Sequence, residues 1–190
     1  MEQLKKRILS DAKIKSGNII KVDGFINHQI DINLMNEIGK EFKSLFEGEK
    51  ITKIITIEAS GIAVACMTAL HFDVPIVFAK KSESKNIDGE VYKTTVTSYT
   101  RGRDYTVILE KKHLTSDDRI LIVDDILATG KAQKGLLDIS SQAGAEVAGI
   151  GVVIEKGFQG GGDKLRGQGY NVQSLAIIDS MENETVVFRD

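Results

Sequence analysis

Ile120-Leu121-Ile122-Val123-Asp124-Asp125-Ile126-Leu127-Ala128-Thr129-Gly130-Lys131-Ala132 is the stretch on which the fold turns. Four consecutive aliphatic residues suit a strand buried on both faces, as in a parallel sheet covered by helices. The run stops at two carboxylates, passes through small residues, and leads into a helical pattern over 130–143 that Gly144 closes. A helix N-terminus offers unpaired backbone N–H groups and the positive end of its dipole, which suits a phosphate. Ala128, Gly130 and Ala132 let the backbone come close, and Thr129 adds a hydroxyl donor. Two acids pointing into that cradle would repel a phosphate. Lying beside it, Asp124 and Asp125 accept hydrogen bonds from the two hydroxyls of a ribose. The stretch therefore predicts a ribose 5-phosphate site, with the acids on the sugar and Ala128, Thr129, Gly130, Lys131 and Ala132 on the phosphate. A simple helix cap explains one Asp, not two followed by Thr-Gly. A Walker A loop is excluded, because Asp125 stands where its first Gly belongs and Ala132 where its Ser or Thr belongs.

Outward from this loop, short aliphatic strands alternate with helices. Strands are expected at 54–57, 75–79, 120–123, 147–154 and 172–178, with an edge strand at 186–188. Helices are expected at the N-terminus on Leu4, Ile8 and Leu9, then on the Leu34, Ile38, Phe42, Leu45, Phe46 face capped by Asp31 or Asn33, and over 62–71. A short strand at 19–22 precedes a turn at Asp23-Gly24. Residues 91–98 and 105–109 are β-rich around a turn at 100–104 and suggest a hairpin. The expected fold is α/β: one domain spanning 1–190, with a mainly parallel central sheet flanked by helices. Ligands in such sheets sit at the carboxyl ends of the strands, so the loops starting at Glu58, Lys80, Asp124 and Glu155 should share one rim. Gly160-Gly161-Gly162 lacks phosphate-loop spacing and is expected to be a mobile loop.

The 190 residues include 42% hydrophobic and 27% charged side chains, an ordinary globular balance. The net charge of -2 argues against a general nucleic-acid binder, which needs a basic surplus. No stretch has the length of a membrane span, and the polar N-terminus is unlike a signal peptide, so the cytoplasm is the default. The single cysteine, Cys66, lies in an apolar run and is expected to be buried. His28, His71 and His113 fall in different elements, and no metal site is assigned to protein side chains.

Val123-Asp124-Asp125-Ile126-Leu127-Ala128-Thr129-Gly130 resembles the phosphoribosyl diphosphate signature of the type I phosphoribosyltransferases. The similarity extends over nearly the whole chain to members of bacterial purine salvage that act on xanthine. It rests also on residues 22–31, on Glu58-Ala59-Ser60-Gly61-Ile62-Ala63, and on Val153-Ile154-Glu155-Lys156-Gly157-Phe158-Gln159-Gly160-Gly161. The resemblance implies transfer of a ribosyl 5-phosphate from phosphoribosyl diphosphate to a purine nitrogen, with loss of pyrophosphate. With xanthine the product is xanthosine monophosphate. It further implies Mg²⁺ carried mainly by the diphosphate, a homodimer, and a 58–61 loop on the pyrophosphate. A small hood formed by about 1–33 and 155–190 would cover the base, with Ile20 packed on the ring and Asn27 and Lys156 as polar contacts. Many relatives end the phosphate loop Thr-Gly-Gly-Thr or Thr-Gly-Gly-Ser. Lys131-Ala132 departs from that, losing a hydroxyl and adding a cation.

Departure of pyrophosphate leaves positive charge on the sugar, which Asp124 and Asp125 would stabilise without acting as nucleophiles. Lys80 and Lys81 on the rim are candidates for the diphosphate, and the excursion 85–103 for a flexible hairpin lid that keeps water out. Asn27 carries both a donor and an acceptor for a ring N–H and its neighbouring carbonyl. Lys156 offers only donors, suits a purine carbonyl and disfavours an amino group there. Guanine, hypoxanthine or adenine remain alternative bases. A regulator that only senses phosphoribosyl diphosphate is a further alternative, but the stretch before Ile19 is too short for a DNA-binding module.

Overall fold

The computed structural model describes residues 1–15, 18–81, 89–97, 104–182 and 185–189. The central sheet has six strands in the order β10-β9-β8-β7-β3-β4: β3 (Lys53–Ile57), β4 (Ile76–Ala79), β7 (Arg119–Leu127), β8 (Glu146–Lys156), β9 (Val172–Glu182) and β10 (Thr185–Phe188). All neighbours are parallel except β9 and the edge strand β10. Two small antiparallel pairs lie outside it: β1 (Lys13–Lys15) with β2 (Ile19–Lys21), and β5 (Val91–Thr97) with β6 (Asp104–Glu110). The helices are α1 (Glu2–Asp11), α2 (Ile32–Leu45), α3 (Gly61–Phe72), α4 (Lys131–Ala143) and α5 (Gly161–Gly167).

Alternation along the strands sends neighbouring residues to opposite faces, and each face has its own core. Ile54, Leu121, Val123 and Val153 pack with Leu4, Ile8, Ile38, Phe42 and Phe46. Ile55, Ile120, Ile122, Ile150 and Val152 pack with Leu136, Ile139 and Leu165 from α4 and α5, and with Val96 and Val107 from the β5–β6 hairpin. Full burial of each such side chain contributes about 1.5–3 kcal/mol. Gly149 and Gly151 let α2 lie directly on β8: a Cβ at these positions would fall 2.4 Å from a Phe46 carbon and 2.9 Å from a Phe42 carbon. Asp31 caps α2, accepting from the Leu34 N–H at 3.1 Å. Gly144, in the left-handed conformation, closes α4.

Several expectations need correction. Cys66 is exposed. α3 is apolar almost all round, so periodicity could not tell its inner face (Val64, Ala65, Thr68, Ala69, Phe72) from its outer one. Leu9 and Leu45 are also exposed, at the edges of their stripes. β7 does not stop at Val123 but carries Asp124 and Asp125 within it, paired with β8 as far as Leu127 opposite Glu155. Asp23-Gly24 opens a five-residue π-helical turn, Asp23–Asn27. The glycine run is no loose loop: Gly160 takes the left-handed conformation, and Gly161 and Gly162 begin α5. The hairpin stem sits on α4, where Gln142 accepts from the Lys93 N–H at 3.2 Å and donates to the Lys93 carbonyl at 3.0 Å. Residues 98–103 of the expected hairpin and turn and 82–88 of the approach lie outside the described residues, and Asp104 begins β6.

Candidate active site

β7 brings two acids to the carboxyl edge of the sheet and keeps them covered: Asp124 is 4% and Asp125 7% exposed. Asp124 Oδ1 accepts from the Asp125 N–H at 3.0 Å, and its Oδ2 accepts from Gln133 Nε2 at 2.8 Å. Burial, and after it the negative charge of Asp125, pushes the Asp124 carboxyl well above the usual carboxylate range. The N-terminus of α3 comes equally close. A Cβ on Gly61 would lie 3.0 Å from Asp124 Oδ1 and 2.1 Å from Thr56 Oγ1.

After Leu127 the chain turns through Ala128 and Thr129 to Gly130, which has φ +79°. That left-handed step is easy for glycine and aims the next N–H groups along the axis of α4. The first helical bond here is Lys134 N–H to the Gly130 carbonyl, 3.0 Å. The N–H groups of Lys131, Ala132 and Gln133 thus have no partner inside the helix, and all three residues wall a cleft.

The cleft has a volume of about 290 Å³. Its wall contains all five residues assigned to the phosphate, together with Ile20 and Lys156 from the proposed base side. Lys156 is 9% exposed and donates to the Asn18 carbonyl at 2.9 Å, which ties the end of β8 to the β1–β2 turn. Burial holds its ammonium below the usual lysine range. Asn27 is exposed at the end of its π-helical turn; like Asp124 and Asp125, it is not among the residues that wall the cleft.

Other wall residues were not singled out from sequence. Val96, Thr97 and Tyr105 come from the hairpin, and Gln133 from the first turn of α4. Burial, and then the charge on Asp124, raises the Tyr105 hydroxyl above its ordinary range. Gln133 stands at the third helical position, where Glu and Gln commonly reach back to groups before the helix, so its spacing was the available signal. The hairpin residues carried none, because their place depends on how the hairpin docks. The rim also converges: Glu58 Oε1 accepts from the Lys81 N–H at 2.7 Å, and Lys81 itself lines the cleft. The Glu58–Ala59 peptide is cis.

Residues 27–187 match the family described as phosphoribosyl transferase domain. A xanthine phosphoribosyltransferase from Lachnoclostridium phytofermentans is 59% identical over 191 residues, covering 100% of this chain and 98% of that protein. One from Bifidobacterium longum is 53% identical over the full length of both. Among solved structures, the adenine phosphoribosyltransferase of Giardia lamblia complexed with 9-deazaadenine superposes with a TM-score of 0.78 at 21% identity, covering 92% of this chain and 96% of that one. The Thermoanaerobacter pseudethanolicus adenine phosphoribosyltransferase gives 0.74 at 23% identity, covering 93% and 98%. At such identities these structures establish the type I fold but not the base. The matched sequence, the sheet order and the acid-flanked phosphate loop agree: this chain belongs to the phosphoribosyltransferase family.

Proposed function

We propose that the chain transfers the 5-phosphoribosyl group from phosphoribosyl diphosphate to xanthine, giving xanthosine 5'-monophosphate and pyrophosphate in purine salvage. The observation that carries this reading is the single cleft walled by Ala128–Ala132 on one side and by Ile20 and Lys156 on the other. A donor phosphate on the α4 N-terminus would leave its sugar beside Asp124 and Asp125, and its reactive carbon facing the base side. The relatives named for xanthine, alike over their full length, support the choice of base.

The residues divide the work as follows. The N–H groups of Lys131, Ala132 and Gln133 hold the 5-phosphate, with Thr129 adding its hydroxyl. Asp124 and Asp125 take the ribose hydroxyls and stabilise the positive charge that builds on the ring as pyrophosphate departs. Lys81, which lines the cleft, and the 58–61 loop, whose Glu58 accepts from the Lys81 N–H, are assigned to the diphosphate. Ile20 packs on the purine, and Lys156, released from Asn18, donates to a purine carbonyl. Asn27, at the end of its π-helical turn, is the second polar contact assigned to the base. Mg²⁺ suits a site where substrate phosphates meet one or two carboxylates. It would be carried mainly by the diphosphate beside the acid pair, and when bound it offsets the charge of the leaving group.

The homodimer belongs to the same proposal. Exposed Leu70 and Cys66 on α3 share a shallow surface with Val74, Pro75 and Ile76 that is suited to a second copy. The cytoplasm is the proposed location; among the described residues no helix is long and apolar enough to cross a membrane. The hood is assigned to about 1–33 and 155–190, of which β9 and β10 also complete the main sheet.

A substrate panel tests the reading. With Mg²⁺ and phosphoribosyl diphosphate, the protein should convert xanthine faster than guanine, hypoxanthine or adenine. Formation of no nucleotide from any purine would sink it, and a faster reaction with another base would reassign the substrate.

A further inference from the structure

We propose that the buried Glu155–Arg166 pair positions the phosphate loop, acting through α5 and touching no substrate itself. The proposal rests on the reading above that residues 128–132 bind a ribose 5-phosphate.

Glu155 is fully buried at the end of β8, directly opposite Leu127 in the ladder and one residue before the loop begins. A carboxylate there is costly unless it is paired and hydrogen-bonded. Arg166 supplies a two-pronged partner: Nη1 donates to Oε1 at 3.0 Å and Nη2 to Oε2 at 2.7 Å. The Ser174 hydroxyl also donates to Oε2, and Arg166 Nε reaches the Val172 carbonyl at 3.2 Å. The pair thereby anchors α5 to both β8 and β9.

Two glycines transmit this anchor to the loop. A Cβ on Gly162 would fall 2.0 Å from Glu155 Oε1, so the first turn of α5 rests on the carboxylate. A Cβ on Gly161 would fall 2.3 Å from the Ala128 carbonyl oxygen and 2.6 Å from the Gly130 nitrogen, so the same turn rests on the loop backbone. Leu165, fully buried, closes the contact from below: a Cβ on Gly130 would meet its Cδ1 at 3.5 Å. α5 is therefore a wedge between the ion pair and the loop, and there is no room for side chains to absorb movement. If the pair is broken, the wedge shifts and the loop shifts with it.

The test is calorimetric titration of ribose 5-phosphate, which needs no base and no turnover, into wild type, Arg166→Ala and Glu155→Gln. Arg166→Ala should weaken binding roughly tenfold, the scale of one hydrogen bond to a charged group lost from a displaced loop. Guanidinium at millimolar concentration should restore most of it, because the Arg166 side chain is 31% exposed and the vacated site is open to the ion. Glu155→Gln, which keeps the shape and drops the charge, should shift affinity in the same direction and serves if Arg166→Ala fails to fold. The KM for the purine should stay near its wild-type value in either variant. Unchanged ribose 5-phosphate affinity, or equal losses for sugar phosphate and purine with no rescue, would reduce the pair to a brace of the fold and overturn the proposal. A wild type that binds no ribose 5-phosphate overturns both this proposal and the reading beneath it. A wild type that binds it but ignores xanthine overturns only the choice of substrate.

Discussion

The two walls of the cleft are built in opposite ways. The proposed phosphate wall is local, Ile126 and 128–133 directly after the acid pair, and is fixed from every side: Gln133 and the Asp125 N–H hold Asp124, Gly61 crowds it from α3, and Gly161 backs the loop. The base wall is assembled from distant pieces, Ile19 and Ile20 of β2 and Lys156 at the end of β8. Its one cation is engaged with a backbone carbonyl of its own chain, and Asn27 stands outside. Under the proposed reading, a preorganised wall binds without rearrangement, whereas the other wall would exchange an internal hydrogen bond, Lys156 to the Asn18 carbonyl, for one to the base. Affinity for the sugar phosphate should therefore reside in backbone geometry, and choice of base in a few movable side chains.

The sharpest way to break this contrast is at the acids. Both Asp124 oxygens are engaged within the chain, so Asp125 is the acid freer to reach the sugar. Asp125→Asn should lower kcat/KM for phosphoribosyl diphosphate on the order of a hundredfold, the scale of losing one preorganised electrostatic contact. Steady-state kinetics at saturating xanthine checks this, and an effect on xanthine KM alone would contradict the assignment.

Lys156→Ala should do the reverse. It should raise KM for xanthine about tenfold or more, as expected for a hydrogen bond from a charged donor, and spare KM for phosphoribosyl diphosphate. Burial holds the Lys156 ammonium below the usual lysine range, so it loses its proton earlier than a surface lysine as pH rises. In wild type KM for xanthine should accordingly climb at the alkaline end sooner than an ordinary lysine would dictate. Arg stays charged throughout, so the difference between the wild-type and Lys156→Arg profiles isolates the lysine from any ionisation of the base. Superimposable profiles would place Lys156 outside the base site.

Gly130→Ala tests the loop geometry with a smaller effect. The new Cβ has ordinary room at 3.5 Å, but φ +79° costs an L-residue about 1–2 kcal/mol. Loop distortion that relieves this strain should raise KM for phosphoribosyl diphosphate about fivefold, with KM for xanthine unmoved.

The same contrast explains what the sequence could show. The loop assigned to the phosphate was legible as structure because it is local: strand, acids, small residues and helix follow one another. Ile20 and Lys156 were reached only through resemblance, since no local pattern says that β2 meets the end of β8. Tyr105 and Thr97 escaped notice because a hairpin's docking onto α4 depends on Gly135, where a Cβ would fall 2.5 Å from Val96. Such complementarity is invisible before the two surfaces are brought together. Cys66 failed for the converse reason: a helix apolar on every side contains no signal for which side is covered. In sequence the glycines at 161 and 162 suggest freedom, whereas close contact requires them.

The smallest effect asks what the rigid wall costs the fold. The Asp124 carboxyl is raised, so its folded state favours the proton more than the unfolded chain does. Stability therefore falls as pH rises from the ordinary carboxylate value of 3.8 through the raised one, and stays lowered above it. Asn cannot ionise and escapes that cost. Its carbonyl oxygen can accept from the Asp125 N–H, while its amide donates to Gln133 with that side chain turned over. Asp124→Asn should melt higher than wild type at neutral pH, by roughly 2–4 °C for each kcal/mol recovered in a chain of this size. The gain should shrink on acidification and vanish once the carboxyl is protonated in both states. Activity should fall in the same variant, since the ribose loses a charged acceptor. A lower melting temperature at neutral pH would instead mean that the ionised carboxylate is a net brace between β7 and α4, and that the loop is held by its charge rather than in spite of it.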